Sequence, residues 1–210
     1  MNIVLNARRQ STTCRSGYRA RYDFYPTPPE ATRALLSVER FHGSIWECAC
    51  GDGAIAYELK AAGYSVTATD LIYRGYGAGR VDFLKQTEPL ATNIITNPPY
   101  GFGLADQFVD HALALTAKTG GSVAMLLNLQ SLCSPRRHGR FIKHPPSAIY
   151  ALDHIICWPH GDPKFASMRT TSHRYAWLVW RPGHIGRPSF WWLSADDFRE
   201  PTAIYSNRFN

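Results

Sequence analysis

Residues 44–70 read SIWECACGDGAIAYELKAAGYSVTATD. Ser44–Cys48 is a short, mostly apolar run that suits a buried strand, and Gly51-Asp52-Gly53 closes it with a tight turn. Ala54–Ala62 then carries a helical pattern ended by Gly63, and Val66–Asp70 is a second strand rich in β-branched residues. A strand, a helix and a strand in so few residues predict a βαβ unit. The pattern continues downstream. Thr92–Thr96 is a strand halted by Asn97-Pro98-Pro99-Tyr100, Leu104, Phe108, Ala112 and Leu115 mark a helix that Gly120 and Gly121 end, and Ser122–Leu127 is a further strand. Two later strands are expected near Ala148–Trp158 and Tyr175–Arg181. Upstream, Thr27-Pro28-Pro29-Glu30 fits a capping box with Thr27 as N-cap and Pro28 at the first helical position, followed by an apolar stripe of Ala31, Leu35 and Val38. Such alternation predicts an α/β fold with a mostly parallel sheet and helices on both faces. Ligands then bind at the carboxyl ends of the strands, after Cys48, Asp70 and Thr96.

The chain has 210 residues, which suits one domain with short appendages. Residues 1–22 read as a basic arm, 23–185 as the domain and 186–210 as a C-terminal tail. No apolar run is long enough for a membrane helix, and MNIVLNARRQ does not resemble a secretory signal. The five cysteines, at 14, 48, 50, 133 and 157, form no disulfide framework, and Cys48-x-Cys50 has no second pair to complete a metal site. A cytoplasmic protein without metal is the expectation. The net charge of +7 is uneven: residues 22–133 carry −4, whereas residues 134–187 carry +7 and six of the eight histidines. A basic surplus on one part of the chain points to a polyanionic partner.

The acid–glycine turn Glu47-Cys-Ala-Cys-Gly-Asp-Gly53 lets backbone approach a ligand closely. Asp70 can accept two hydrogen bonds from a ribose diol. The full G-x-G-x-x-G is absent because position 56 is Ala, which favours a nucleoside without a diphosphate over a dinucleotide. Asp82-Phe83 offers an acceptor and a ring for an adenine; a solvated turn is the plain alternative for Asp82. Asn97-Pro98-Pro99-Tyr100 is stiff because its two prolines fix the backbone and remove two donors. The Asn97 amide oxygen and the Pro98 carbonyl can both accept from one planar NH2 group, and Tyr100 adds a ring for stacking. A stiff turn with an aromatic plug is the plain reading.

Four segments in this order (Tyr25-Pro-Thr-Pro28, Glu47 to Ala54, Asp70 with Asp82-Phe83, and Asn97 to Tyr100) resemble class I S-adenosylmethionine-dependent amino-methyltransferases. They are most similar to small bacterial and phage DNA adenine-N6 methyltransferases of the gamma motif order. The resemblance covers roughly residues 23–181 and departs at Cys48, where that family more often has proline. It implies a single Rossmann-like domain with a seven-stranded sheet and a last, antiparallel strand. It implies S-adenosylmethionine as cofactor, with Thr27 and Pro28 at the methionine carboxylate, Glu47, Ala49, Gly51 and Gly53 along the methionine end, Asp70 on the ribose, and Asp82 and Phe83 at the adenine. Asn97, Pro98, Pro99 and Tyr100 would hold the target base.

Nucleic acid is the expected partner. Arg136, Arg137, Arg140 and Lys143, then Lys164, Arg169 and Arg174 around Phe165, are the candidate contacts, arginines for phosphate and the ring for a base. The same amine chemistry admits adenine in RNA, a glutamine amide in a protein, or a nucleic-acid-binding module without catalysis. The first activity predicted is N6 methylation of adenine in DNA.

Overall fold

In the computed structural model, residues 21–153, 155–157 and 174–199 are described. Their strands are β1 (Ile45–Glu47), β2 (Val66–Ala68), β3 (Asn93–Thr96), β4 (Val123–Asn128), β5 (Ala148–Leu152), β6 (Tyr175–Trp180) and β7 (Ser189–Leu193). Their α-helices are α1 (Pro29–Val38), α2 (Ala54–Ala61), α3 (Leu104–Thr116) and α4 (Pro135–Lys143). The strands form one seven-stranded sheet in the order β2-β1-β3-β4-β6-β5-β7. The first four run parallel, β6 is antiparallel to β4 and β5, and β7 joins β5 in parallel. The expected α/β fold is present, and the antiparallel strand is the sixth along the chain.

Alternation along the strands divides the core. Ile45, Ile95, Ala124, Leu126, Trp177 and Val179 face α1 and α2, whereas Trp46, Ile94, Val123, Met125, Leu178 and Trp180 face α3. Because both faces are covered, the strands read as continuous apolar runs. The buried indoles keep their donors satisfied: Trp46 donates to Thr69 Oγ1 at 2.9 Å and Trp177 to the Ala31 carbonyl at 2.8 Å.

Three local expectations are corrected. Thr27 does not cap α1; the helix begins at Pro29, Pro28 holds the cap position, and its carbonyl accepts from Ala31 N–H. The Thr27 hydroxyl is drawn instead to Asn97, and the Glu30 carboxylate to Arg199. Ala31 and Leu35 are buried as the stripe requires, but Val38 lies at the exposed end of the helix. The segment assigned to a C-terminal tail supplies β7, whose residues pair with β5 from Ser189 opposite Ala148 to Leu193 opposite Leu152. Its side chains stay largely exposed, so no burial periodicity marked it as a strand. Residues 1–20, most of the basic arm, lie outside the described part.

Candidate active site

The carboxyl ends of β1, β2 and β3 open onto a cavity of about 440 Å³. This size suits a small-molecule ligand. Eleven expected residues line it together: Thr27, Glu47, Ala49, Gly51, Asp70, Asp82, Phe83, Asn97, Pro98, Pro99 and Tyr100. Pro28 and Gly53 do not. Pro28 starts α1, and Gly53, at φ +91°, caps α2 with Tyr76 packed where a Cβ would stand.

Gly51 is the residue that brings backbone to the ligand. Its φ is +56°, and a Cβ there would come within 2.8 Å of the Phe24 ring. Its N–H donates to Asp70 Oδ2 at 2.8 Å, tying the turn after β1 to the residue beyond β2. Asp70 Oδ1 accepts from Ile72 N–H at 2.7 Å and from Arg74 Nη1 at 3.1 Å. The acid is thereby held in one orientation, with lone pairs left for further donors. Arg74 and Phe24 were not foreseen. The guanidinium lies 4.5 Å from the Phe24 ring centroid and covers Asp70. The aromatic run at 22–25 and the arginine four residues after Asp70 were the available signals.

Glu47 is the buried carboxyl of the cavity. It is 1% exposed, and its Oε2 has no hydrogen-bond partner among the described residues. Burial, reinforced by the nearby Asp52 and Asp70 charges, pushes its carboxyl well above the usual carboxylate range. A buried carboxyl with an unmet acceptor on a cavity wall suits a cationic ligand group.

Asp82 caps a short 3-10 turn: its Oδ1 accepts from Leu84 N–H at 3.2 Å, and Lys85 Nζ lies 3.3 Å from Oδ2. Phe83 is buried edge-on against Trp46, their centroids 5.2 Å apart, and packs on Phe108 at 4.8 Å.

Asn97 sits one residue beyond β3. Its Nδ2 donates to Thr27 Oγ1 at 3.0 Å and approaches the Tyr25 carbonyl at 3.3 Å. Both amide protons are thus used on the segment before α1, which leaves Oδ1 as the accepting end. Tyr100 Oη lies 2.8 Å from Asn97 Oδ1 and 2.7 Å from the Leu126 carbonyl. Its one proton serves one acceptor at a time; when it goes to Leu126, Asn97 Oδ1 is open to another donor. The Tyr100 ring therefore plugs the core at its hydroxyl end while its flank lines the cavity. Burial raises its phenol well above the ordinary value, so it stays neutral. The NPPY loop is tied further by Gly101 N–H, which donates to Asp23 Oδ2 at 2.6 Å.

The basic residues divide. Arg137 pairs with Asp106, and Arg140 with Asp106 and Asp110, so both guanidiniums fasten α4 to α3. Both were expected at phosphate, and here their charge is paired within the chain. Arg136 and Lys143 are exposed on α4, and Arg174 is exposed just before β6. Lys164, Phe165 and Arg169 lie outside the described residues.

The sheet order, the glycine turn after β1 and the acid beyond β2 define an α/β fold with its cavity at the carboxyl ends of the strands. It is the fold of class I S-adenosylmethionine-dependent methyltransferases. A Listeria monocytogenes protein described as such a methyltransferase superposes with a TM-score of 0.58 at 15% identity, over 86% of this chain and 68% of that one. A Vibrio vulnificus protein described as a modification subunit of a type I restriction enzyme gives 0.54 at 16%, over 86% of this chain and 48% of its own. This chain therefore spans about half the length of that subunit. A Pyrococcus horikoshii protein described as an RNA methyltransferase gives 0.53 at 14%, over 77% and 87%. No family model and no curated protein matches the sequence.

Proposed function

We propose that this chain is an S-adenosylmethionine-dependent methyltransferase acting on the exocyclic N6 amine of adenine in DNA. The observation that carries the reading is the fixed polarity of Asn97. With Nδ2 committed to Thr27 and Tyr25, its Oδ1 is the accepting end, and Asn97 lines the cavity together with Pro98, Glu47 and Asp70.

The donor set fits the cofactor. Glu47, with an acceptor oxygen unmet in a buried site, would take the methionine ammonium. Asp70, steered by Gly51 and Ile72, would take the ribose hydroxyls. Phe83 would flank the adenine. When bound, S-adenosylmethionine supplies a methyl group on an already activated sulfonium. The chain's own residues then have to position the amine. The lone pair of adenine N6 is delocalised into the ring. Acceptors at Asn97 Oδ1 and the Pro98 carbonyl hold its two protons, oppose that delocalisation and aim the lone pair into the cavity. No strong base is required, because the nitrogen becomes acidic only after transfer. Tyr100 presents its ring flank to the base, and its neutral phenol releases Asn97 Oδ1 by turning to Leu126. A base within a duplex must first leave the stack.

The test is tritiated methyl transfer to matched duplex DNA, single-stranded DNA and RNA, read by nucleoside mass spectrometry. N6-methyladenine in DNA, lost in Asn97→Ala, is expected. Label confined to RNA would move the substrate while keeping the site. Transfer to none of the three would overturn the reading.

A further inference from the structure

The loop beyond Tyr100 carries an aromatic ring in a place that folding does not explain. Phe102 is 88% exposed and borders the cavity. Its backbone stands at φ 54°, ψ 26°, the left-handed region. A non-glycine residue pays roughly 1–2 kcal/mol to be there. The flanking residues are both glycine, so this short loop bends freely on either side of the one residue that strains it. Glycine at 102 would relax the loop, and the ring buries too little surface to offset the strain.

The loop is nevertheless held in place. Gly101 N–H donates to Asp23 Oδ2 at 2.6 Å, and Asp23 and Tyr22 on the opposing segment are themselves left-handed, at φ 52° and 57°. Tyr22, 57% exposed, also borders the cavity. The rim thus joins two segments 78 residues apart by a charge-assisted hydrogen bond and carries exposed aromatic surface on each. Strain fixed by its surroundings next to a site is retained where a ring must be presented outward.

We propose that Phe102 stacks on the nucleobase adjacent to the target, outside the cavity, and so occupies the stacking position that the target leaves. The inference rests on the nucleic-acid reading above and names the residue at the rim that engages the substrate. Its place favours a neighbour over the target itself: the cavity is already lined by Tyr100 and Pro98, whereas Phe102, on its border, is turned largely to solvent. An aromatic platform is tolerant of sequence, because every base has a π face.

The experiment uses a single-stranded DNA 16-mer of alternating deoxyadenosine and 5-iododeoxyuridine, with the intact protein and S-adenosylhomocysteine. Affinity is read by fluorescence anisotropy, and photo-crosslinks are mapped by mass spectrometry. Phe102→Gly is expected to bind about tenfold more weakly, as loss of a base–aromatic stack does. Its melting temperature should be unchanged or higher, and its affinity for S-adenosylhomocysteine should stay within about twofold. Phe102→Trp should restore binding, and the main crosslink should fall on Phe102. Phe102→Gly binding within twofold of wild type, wild-type protein that fails to bind the oligonucleotide, or crosslinks confined to other residues would overturn the proposal. Methyl transfer to an adenine oligonucleotide is measured in parallel. Binding that depends on Phe102, with no transfer to this oligonucleotide or to duplex DNA or RNA, would retire the methyltransferase reading and leave the stacking role. Transfer that is indifferent to Phe102 would do the reverse.

Discussion

The cavity at the ends of β1–β3 and the helix α4 both concentrate charge, and they balance it in opposite ways. In the cavity Glu47 is buried with an acceptor unmet, Asp70 keeps lone pairs beyond its three internal donors, and Asn97 has one end locked and the other available. On α4, Arg137 and Arg140 are met by Asp106 and Asp110 from the neighbouring helix. An unmet buried polar group costs stability unless a ligand completes it, whereas a met surface pair joins two pieces of the same chain. The charge that matters for binding is what remains after internal pairing.

Asn97→Ala tests that contrast most severely. It removes the amine acceptor and should lower methyl transfer by about a hundredfold or more, the scale seen for a lost positioning donor or acceptor. Circular dichroism and cofactor calorimetry should stay near wild type. Activity within tenfold would break the assigned mechanism.

Thr27→Val keeps the shape but frees the Asn97 amide to turn. A lost hydrogen bond of about 1 kcal/mol corresponds to roughly a fivefold fall in turnover. Steady-state kinetics unchanged from wild type would show that Thr27 does not set the polarity of Asn97.

Glu47 gives a pH dependence of definite sign. Its carboxyl is raised in the folded, ligand-free protein, so folding holds a proton that the unfolded chain would release. Its favourable contribution is complete below the ordinary glutamate range and is lost as pH rises toward the raised value. Glu47→Gln should therefore raise the melting temperature at neutral pH. A cationic methionine ammonium favours the ionised carboxyl, so binding expels that proton, and cofactor affinity in the wild type should rise with pH over the same window. Calorimetry in buffers of different ionisation enthalpy reads the proton directly. No proton release, or affinity that falls with pH, would contradict this placement.

The smallest effects belong to α4. Arg136→Ala and Lys143→Ala should each reduce the salt slope of DNA binding by about one. Arg137→Ala and Arg140→Ala should leave that slope alone and cost less than about 1 kcal/mol of stability, since the pairs are partly solvated. A slope lowered equally by all four would erase the distinction between the paired and unpaired residues.

Much of the site was legible because its chemistry is written in short neighbouring runs. The turn from Glu47 to Gly53, the acid at 70 and the stiff Asn97–Tyr100 loop carry their backbone geometry and donor pattern in adjacent residues. Phe102 was legible in principle, as an aromatic between two glycines after that loop, but its exposure and strain belong to the folded backbone. Arg74 was hidden in a loop without periodicity.

The sequence by itself determined the alternation of strand and helix, the two-faced apolar strands and the loops that bear chemistry, because each depends on period or on contiguous residue types. Tertiary structure decided which groups meet. Thr27 turned from capping a helix to bracing an amide 70 residues away. Arg137 and Arg140 spent their charge on acids 31 and 30 residues earlier. Ser189–Leu193 became a strand by pairing with β5. The physical reason is that a donor commits to whichever acceptor the sheet order brings within about 3 Å, and that order is a property of the whole chain.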